Sequence, residues 1–335
     1  MSETKRGRKS RSVAFTCCYA QLNKMKTTIF IAPLYYIRLP IKSENFHIID
    51  KNISLTNNKR QIENLLRRFT NLIHLIGKLE YENLISGKPI LYSIKELPDL
   101  KSVEKEMHHF LTRVEYFSHV VWSLKDSLVN SETCFAIQDE DNEINIHTNN
   151  FGSYYSDIGL TNAEILLNNK EIEFIKDRYL FDENYDYESI KKKGSILEKG
   201  TSRYQRATHH FVNARRSNTY EFKISHYCAG YESLLSSSTT ELTHQLSERI
   251  ALLCSKAKEE RYEVYKLAKR IYSIRSRVVH GATVDQKDII LLAKYADDWA
   301  RYLINLIFQD NEFYNIIFEK NEQNVDEYFL KKLFL

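Results

Sequence analysis

The sequence predicts an α+β protein. A mixed α/β N-terminal domain over residues 28–190 is followed by an all-α antiparallel helical bundle over residues 203–335. Three observations predict this. Gly (9) and Pro (4) are scarce among 335 residues, which favours helix over turn-rich β structure. Alternating and helical apolar periodicities are mixed before residue 190, whereas only the helical period persists after Ser202. Between them, the polar stretch 191–202 holds two glycines, as a linker would.

The elements follow in chain order. Residues 1–27 read as a basic tail, with Lys5, Arg6, Arg8, Lys9 and Arg11 near its start. Ile29–Leu39 is rich in β-branched and aromatic residues, and Pro33 inside it predicts an edge or interrupted strand. Thr56 is placed to cap a helix striped by Ile62, Leu65, Leu66, Phe69, Leu72, Ile73 and Ile76. A second helix over 102–127 carries Val103, Met107, Phe110, Val114, Phe117, Val121 and Leu124. Thr133–Gln138 and Glu143–His147 alternate around a polar turn and predict a hairpin. The bundle begins with one helix over 203–235. Ser238-Thr239-Thr240-Glu241 reads as a capping box opening the next helix, Thr240 to about Lys258. The third helix runs from Glu260 to Val279 with a Val264, Leu267, Ile271, Ile274, Val278 stripe, and Gly281 is placed for a left-handed cap. Thr283-Val284-Asp285-Gln286 is a second capping box, opening a fourth helix to about Phe308. Short connections between the four make an antiparallel arrangement the expectation. The region 28–190 is expected to fold apart from the bundle.

Composition narrows the function. No run approaches the ~20 apolar residues of a membrane helix, and five cysteines without paired spacing point to a reducing cytoplasm. A net charge of +4 is too small for a generic polyanion binder, but its distribution is uneven. From Arg203 to Arg277 there are 14 Lys/Arg and 7 Asp/Glu; from Gly281 to Leu335 there are 6 and 10. A basic segment of this kind fits either a phosphate backbone or ordinary solvated helix faces. CxxC, HExxH, GxGxxG and P-loop motifs are absent, so neither a metal nor a cofactor is expected. His108-His109 and His209-His210 are adjacent pairs whose side chains diverge by about 100° on a helix, which suits no shared metal.

The chemistry-bearing stretch is Tyr272–Gly281, YSIRSRVVHG, in which four residues separate Arg275 from His280. Upstream lie Ala229–Leu235 (AGYESLL) and Glu241–Leu253 (ELTHQLSERIALL). In this order the three phrases resemble the RxxxxH signature and the two preceding helices of Apea-like HEPN domains of bacterial phage defence. The resemblance covers about residues 205–305. It implies a bundle that pairs two-fold, a homodimer bringing two RxxxxH motifs to one cleft. It also implies metal-independent RNA cleavage in an abortive-infection-like antiviral response. The substrate would be RNA, with tRNA among the candidates, and a phage-derived trigger would act on the N-terminal domain.

The residues themselves fit that chemistry. RNA supplies its own nucleophile, the 2′-OH. Histidine titrates near neutral pH and can take its proton; arginine presents a planar fork to phosphate oxygens. Helical geometry leaves one choice open. Residues five apart diverge by about 140°, so Arg277 rather than Arg275 neighbours His280 within one chain. Arg275 meets His280 only if the helix ends before the histidine or if the partner chain supplies it. His280, Arg275 and Arg277 are therefore the catalytic candidates, with Tyr272, Ser276, Glu232 and Arg249 in support. Glu232 and Arg249 read best as a structural ion pair across two helices. His226 and His244 read as surface or core residues, and Tyr220, Tyr227 and Tyr272 as core rather than as base-stacking platforms. The competing class is an inactive HEPN module that binds RNA or a protein; the intact arginine and histidine favour the enzyme. A metal-dependent nuclease is disfavoured for want of a carboxylate cluster.

Overall fold

In a computed structural model, β1 (Lys26–Pro33) is buried along nearly its whole length. The structure describes residues 25–40, 46–140, 143–150, 154–181, 200–237, 240–255, 257–281, 283, 286–318 and 323–334. β1 lies inside a six-stranded antiparallel sheet ordered β3-β4-β5-β1-β6-β7. Its partners are β5 (Ile90–Leu97) and β6 (Thr133–Glu140); β3 (Phe46–Ile48), β4 (Ser54–Thr56) and β7 (Glu143–Asn150) complete it. The expectation of an edge strand is thus corrected. Pro33 is the last residue of β1, two past the end of the β6 ladder at Ile31, so its missing N–H interrupts nothing there. The β6–β7 hairpin forms as read, from Glu140↔Glu143 to Thr133↔Asn150.

Both faces of the sheet are covered, which is why β1 reads as a continuous apolar run. Ile29, Ile31 and Ile137 meet α1 (Lys59–Leu66), α2 (Leu72–Ile76) and α3 (Lys78–Leu84). These three replace the single helix predicted after Thr56. Left-handed Asn71 (φ 62°) and Gly77 (φ 90°) break it, and Asn58, not Thr56, caps α1 by accepting from the Gln61 N–H at 3.1 Å. Phe30, Ala32 and Ala136 meet α4 (Leu100–Leu124) and α5 (Asn169–Phe181) on the opposite face. The α4 stripe is buried as expected, from Val103 to Val121. The short strands β2 (Ile37–Arg38) and β8 (Ile165–Leu166) pair in parallel beside it.

The C-terminal part is built of helices and short connections, with no strand among its described residues. The helix predicted over 203–235 is two, α6 (Arg203–Arg216) and α7 (Tyr220–Leu235). No Gly or Pro marks that break. Ser156 binds there, its hydroxyl donating to the Arg215 and Ser217 carbonyls at 3.1 and 2.8 Å. α8 (Leu242–Cys254) starts later than predicted, because Glu241 sits at its N-cap with φ 50°. Ser238 and Thr239 of that capping box, and Val284 and Asp285 of the second, lie outside the described residues. A 3₁₀ turn (Lys258–Glu260) leads into α9 (Arg261–Val279), then α10 (Gln286–Gln309). α11 (Asn311–Phe318) and α12 (Gln323–Phe334) follow and had no sequence assignment. α6 and α7 approach closely at Gly230: a Cβ there would sit 2.2 Å from the Phe211 ring. Gly230→Ala should therefore cost at least about 1–3 kcal/mol of stability in urea unfolding; a cost within ±0.5 kcal/mol would mean that the helices shift freely.

Of the predicted boundary, residues 191–199 lie outside the described set. The two parts share a buried joint. Trp122, at the end of α4, belongs to the bundle core and donates from Nε1 to Asp297 of α10 at 2.9 Å. Asp297 also accepts from the Tyr227 hydroxyl at 2.6 Å and the Arg301 Nε at 2.8 Å. Arg215 donates to Ser118 at 2.9 Å and lies 4.0 Å over the Tyr155 ring. Burial and the nearby Asp297 push the Asp126 carboxyl up to about 6, against the Ile158 N–H and Arg301. A carboxyl raised in the folded state gains protons on folding. Its contribution to stability improves as pH falls through about 6 and is complete below the unfolded value near 3.8. Asp126→Asn mimics the protonated form, so it should raise the melting temperature at pH 8 more than at pH 5. An equal shift at both pH values would contradict this origin.

Candidate active site

α9 carries the site because its sequence separates two faces. Ile271, Tyr272 and Ile274 are buried against the bundle, which α9 joins through α7 and α8. Tyr262, Lys266, Lys269, Ser273, Ser276 and Arg277 are exposed on the other side. The helix ends where the sequence indicated. Gly281 adopts φ +70° with no Cβ to resist it, and its N–H donates to the Val278 carbonyl at 3.3 Å. His280 is the C-cap, with φ −95° and ψ 5°, and its N–H donates to the Ser276 and Arg277 carbonyls at 3.2 and 3.1 Å. Its side chain is exposed.

The two arginines point differently. Arg275 faces α7, where Nη2 lies 3.3 and 3.5 Å from the Glu232 carboxylate oxygens. The nearer oxygen lies outside hydrogen-bonding geometry, so this is a loose ion pair rather than a bidentate clamp. The Arg275 side chain is 39% exposed, which leaves donors of its fork accessible. Burial raises the Glu232 carboxyl, and Arg275 opposes that rise. Arg277 is exposed on the His280 side and makes no ion pair with another described residue.

The expected Glu232–Arg249 pair does not form. Arg249 bonds instead to the Leu235 carbonyl, to Ser237 at 3.1 Å and to Asp326 of α12. With Arg203, which donates to the Ser233 and Ser236 carbonyls, it closes the C-terminal end of α7. Arg249 is thus a scaffold for the turn that follows Glu232. The separate cleft beside it, about 470 Å³, is lined by Glu241, His244, Glu248 and Leu330 among others.

The remaining candidates fall into place by burial. Tyr272 is buried, donates to the Cys228 carbonyl at 3.2 Å and is pushed well up by burial; it supports α9 from within and offers no face to a base. Tyr227 is committed to Asp297. Ser276 is exposed one turn before His280. His244 lies 3.8 Å from Glu248 on α8. His209, His210 and His226 stand together on α6 and α7, ring centroids 5.8 and 6.4 Å apart. Burial lowers all three and takes His210 to about 4. Among the described residues, no three His, Cys, Asp or Glu side chains are grouped to hold a metal ion. No helix there is long and apolar enough to cross a membrane. No family model matches the chain, and neither the curated proteins nor the solved structures compared with it include a match.

Proposed function

We propose that the C-terminal bundle is a HEPN-type, metal-independent endoribonuclease, acting in the cytoplasm as an abortive-infection-like antiviral effector. One observation carries the reading: the exposed His280 stands at the C-cap of α9, with Arg277, which makes no ion pair with a described residue, one turn before it and the loosely paired Arg275 behind. In the proposed step, His280 takes the proton of an RNA 2′-OH. The 2′-oxygen attacks phosphorus, the P–O5′ bond breaks, and the departing 5′-oxygen takes a proton from water. An arginine fork holds the phosphorane oxygens as charge builds on them. The products are a 2′,3′-cyclic phosphate and a 5′-hydroxyl. A homodimer through the bundle would let Arg275 of one chain serve His280 of the other, and residues 28–190 would receive the infection signal.

The test is direct. Purified protein is incubated with total RNA and with tRNA in excess EDTA, and the new ends are mapped. Cyclic-phosphate and 5′-hydroxyl ends are expected; cleavage lost in EDTA, or 5′-phosphate ends, would overturn the proposal. The arginines can then be ranked. If Arg277 is the phosphate ligand in the same chain, Arg277→Ala should lose about 10²–10³-fold in rate and Arg275→Ala much less. If Arg275 acts across a dimer, Arg275→Ala should be the severe variant. Mixing Arg275→Ala with His280→Ala chains should then restore part of the activity. No rescue, together with a strictly monomeric active protein, would exclude the shared cleft.

A further inference from the structure

We propose that the outer face of α9 is a track for single-stranded RNA that ends at His280; its assignment to RNA rests on the nuclease reading above. Tyr262, Lys266, Lys269, Ser273, Ser276 and His280 recur at three- and four-residue steps and are all exposed. At 1.5 Å per residue the stripe from Tyr262 to His280 is about 27 Å long. That accommodates about eight nucleotides stacked at 3.4 Å.

Its chemistry is lopsided. Lys266, Lys269, Arg270 and Arg277 are exposed cations, and Glu263 is the acidic residue on this side of α9. Two cations have surface partners, Lys266 with Glu263 at 2.6 Å and Arg270 with Asp288 at 3.0 Å. Exposed pairs of this kind are weak, and a phosphate can displace the carboxylate. Lys269 and Arg277 make no ion pair with a described residue. At the far end from His280, Tyr262 is 67% exposed, with the Lys266 ammonium 4.8 Å from its ring centroid. A large aromatic in solvent beside a line of cations is the combination that binds single strands: cations follow the backbone and the ring stacks an unpaired base. A duplex offers no free base to that ring.

The test uses full-length His280→Ala protein, so that bound RNA is not cut, and a fluorescein-labelled oligouridine of about 12 nucleotides. Anisotropy titrations from about 50 to 200 mM KCl give the salt slope. Four phosphate contacts predict a slope of about −2.8 in log K against log salt, at about −0.7 each. Adding Lys266→Ala and Lys269→Ala should flatten it by about 1.4. Adding Tyr262→Ala instead should weaken binding about tenfold with the slope unchanged, and Tyr262→Phe should restore it. Unchanged affinity and slope in the double-lysine variant would overturn the track, as would tighter binding of the duplex form or no binding at low salt. The two readings separate cleanly. Wild-type protein that cuts RNA while the stripe variants bind like their parent loses the track alone. Protein that leaves RNA intact while binding follows the stripe loses the nuclease reading, and with it the claim that the track serves cleavage.

Discussion

Replacing His280 with alanine should reduce RNA cleavage about 10²–10⁴-fold, the usual contribution of a positioned general base, and leave the melting transition unchanged. The two halves of this expectation come from different observations. The proposed reaction needs a proton acceptor for the 2′-OH, and among His280, Arg275 and Arg277 only the imidazole can be one near neutral pH. The fold does not need the ring. The His280 side chain is exposed, and the cap of α9 is made by its backbone N–H, which alanine keeps. An exposed residue with no buried contact normally changes stability by under about 0.5 kcal/mol. Cleavage at the wild-type rate with the same end chemistry would remove α9 from the chemistry and leave the bundle as a binding module. A large fall in melting temperature would show instead that the loss of activity is a loss of fold.

Asp297→Ala should be the most damaging single change to stability, costing about 3–5 kcal/mol in equilibrium unfolding. It strands the Trp122 indole and the Tyr227 hydroxyl and takes the Arg301 Nε from its acceptor, leaving that guanidinium only Asp298. It also removes a negative charge that acts on Arg215 and Lys223, both buried at the joint. Lys223 already feels that environment: burial lowers its ammonium to about 8, and Asp297 and Asp126 work against the fall. Asp297→Asn keeps an acceptor for the two aromatic donors and should cost clearly less than alanine. Because the joint ties α4 to α10, the wild-type chain should also unfold in a single transition. A cost below about 1 kcal/mol for the alanine variant, or separate melting of the two parts, would mean that the joint is not what couples them.

The parts of the fold that were legible in the sequence are those held by their own pattern. The stripe of α4, from Val103 to Val121, spans about five turns and outweighs any local ambiguity, and β6–β7 alternates on both sides of its turn. What was not legible depends on distant residues. The α6–α7 break falls at Ser217-Asn218-Thr219, a short polar signal without Gly or Pro, and Ser156 binds the carbonyls there. Pro33 looked like the mark of an edge strand, and only the register of β6 explains why a central strand tolerates it. At the candidate site, the segment Arg275–Gly281 and its helix end could be read directly, since the turn is local and Gly281 announces it. The partner of Glu232 could not be read. Arg249 was a reasonable choice on an adjacent helix, but it is held by Asp326, on a helix whose short apolar stripe gave no clear signal.

The indole–carboxylate bond at the joint joins residues 175 positions apart in the chain. During synthesis at about 5–20 residues per second, Trp122 is made roughly 10–35 s before Asp297 exists. Through that interval the indole N–H lacks its native acceptor, although Phe211 and Arg215 emerge earlier and can already meet the ring. The sheet can assemble early, since all its strands precede residue 151, but the helical half cannot close until α10 emerges. A nascent chain therefore completes its candidate site among the last events of folding, well after its N-terminal half has taken shape.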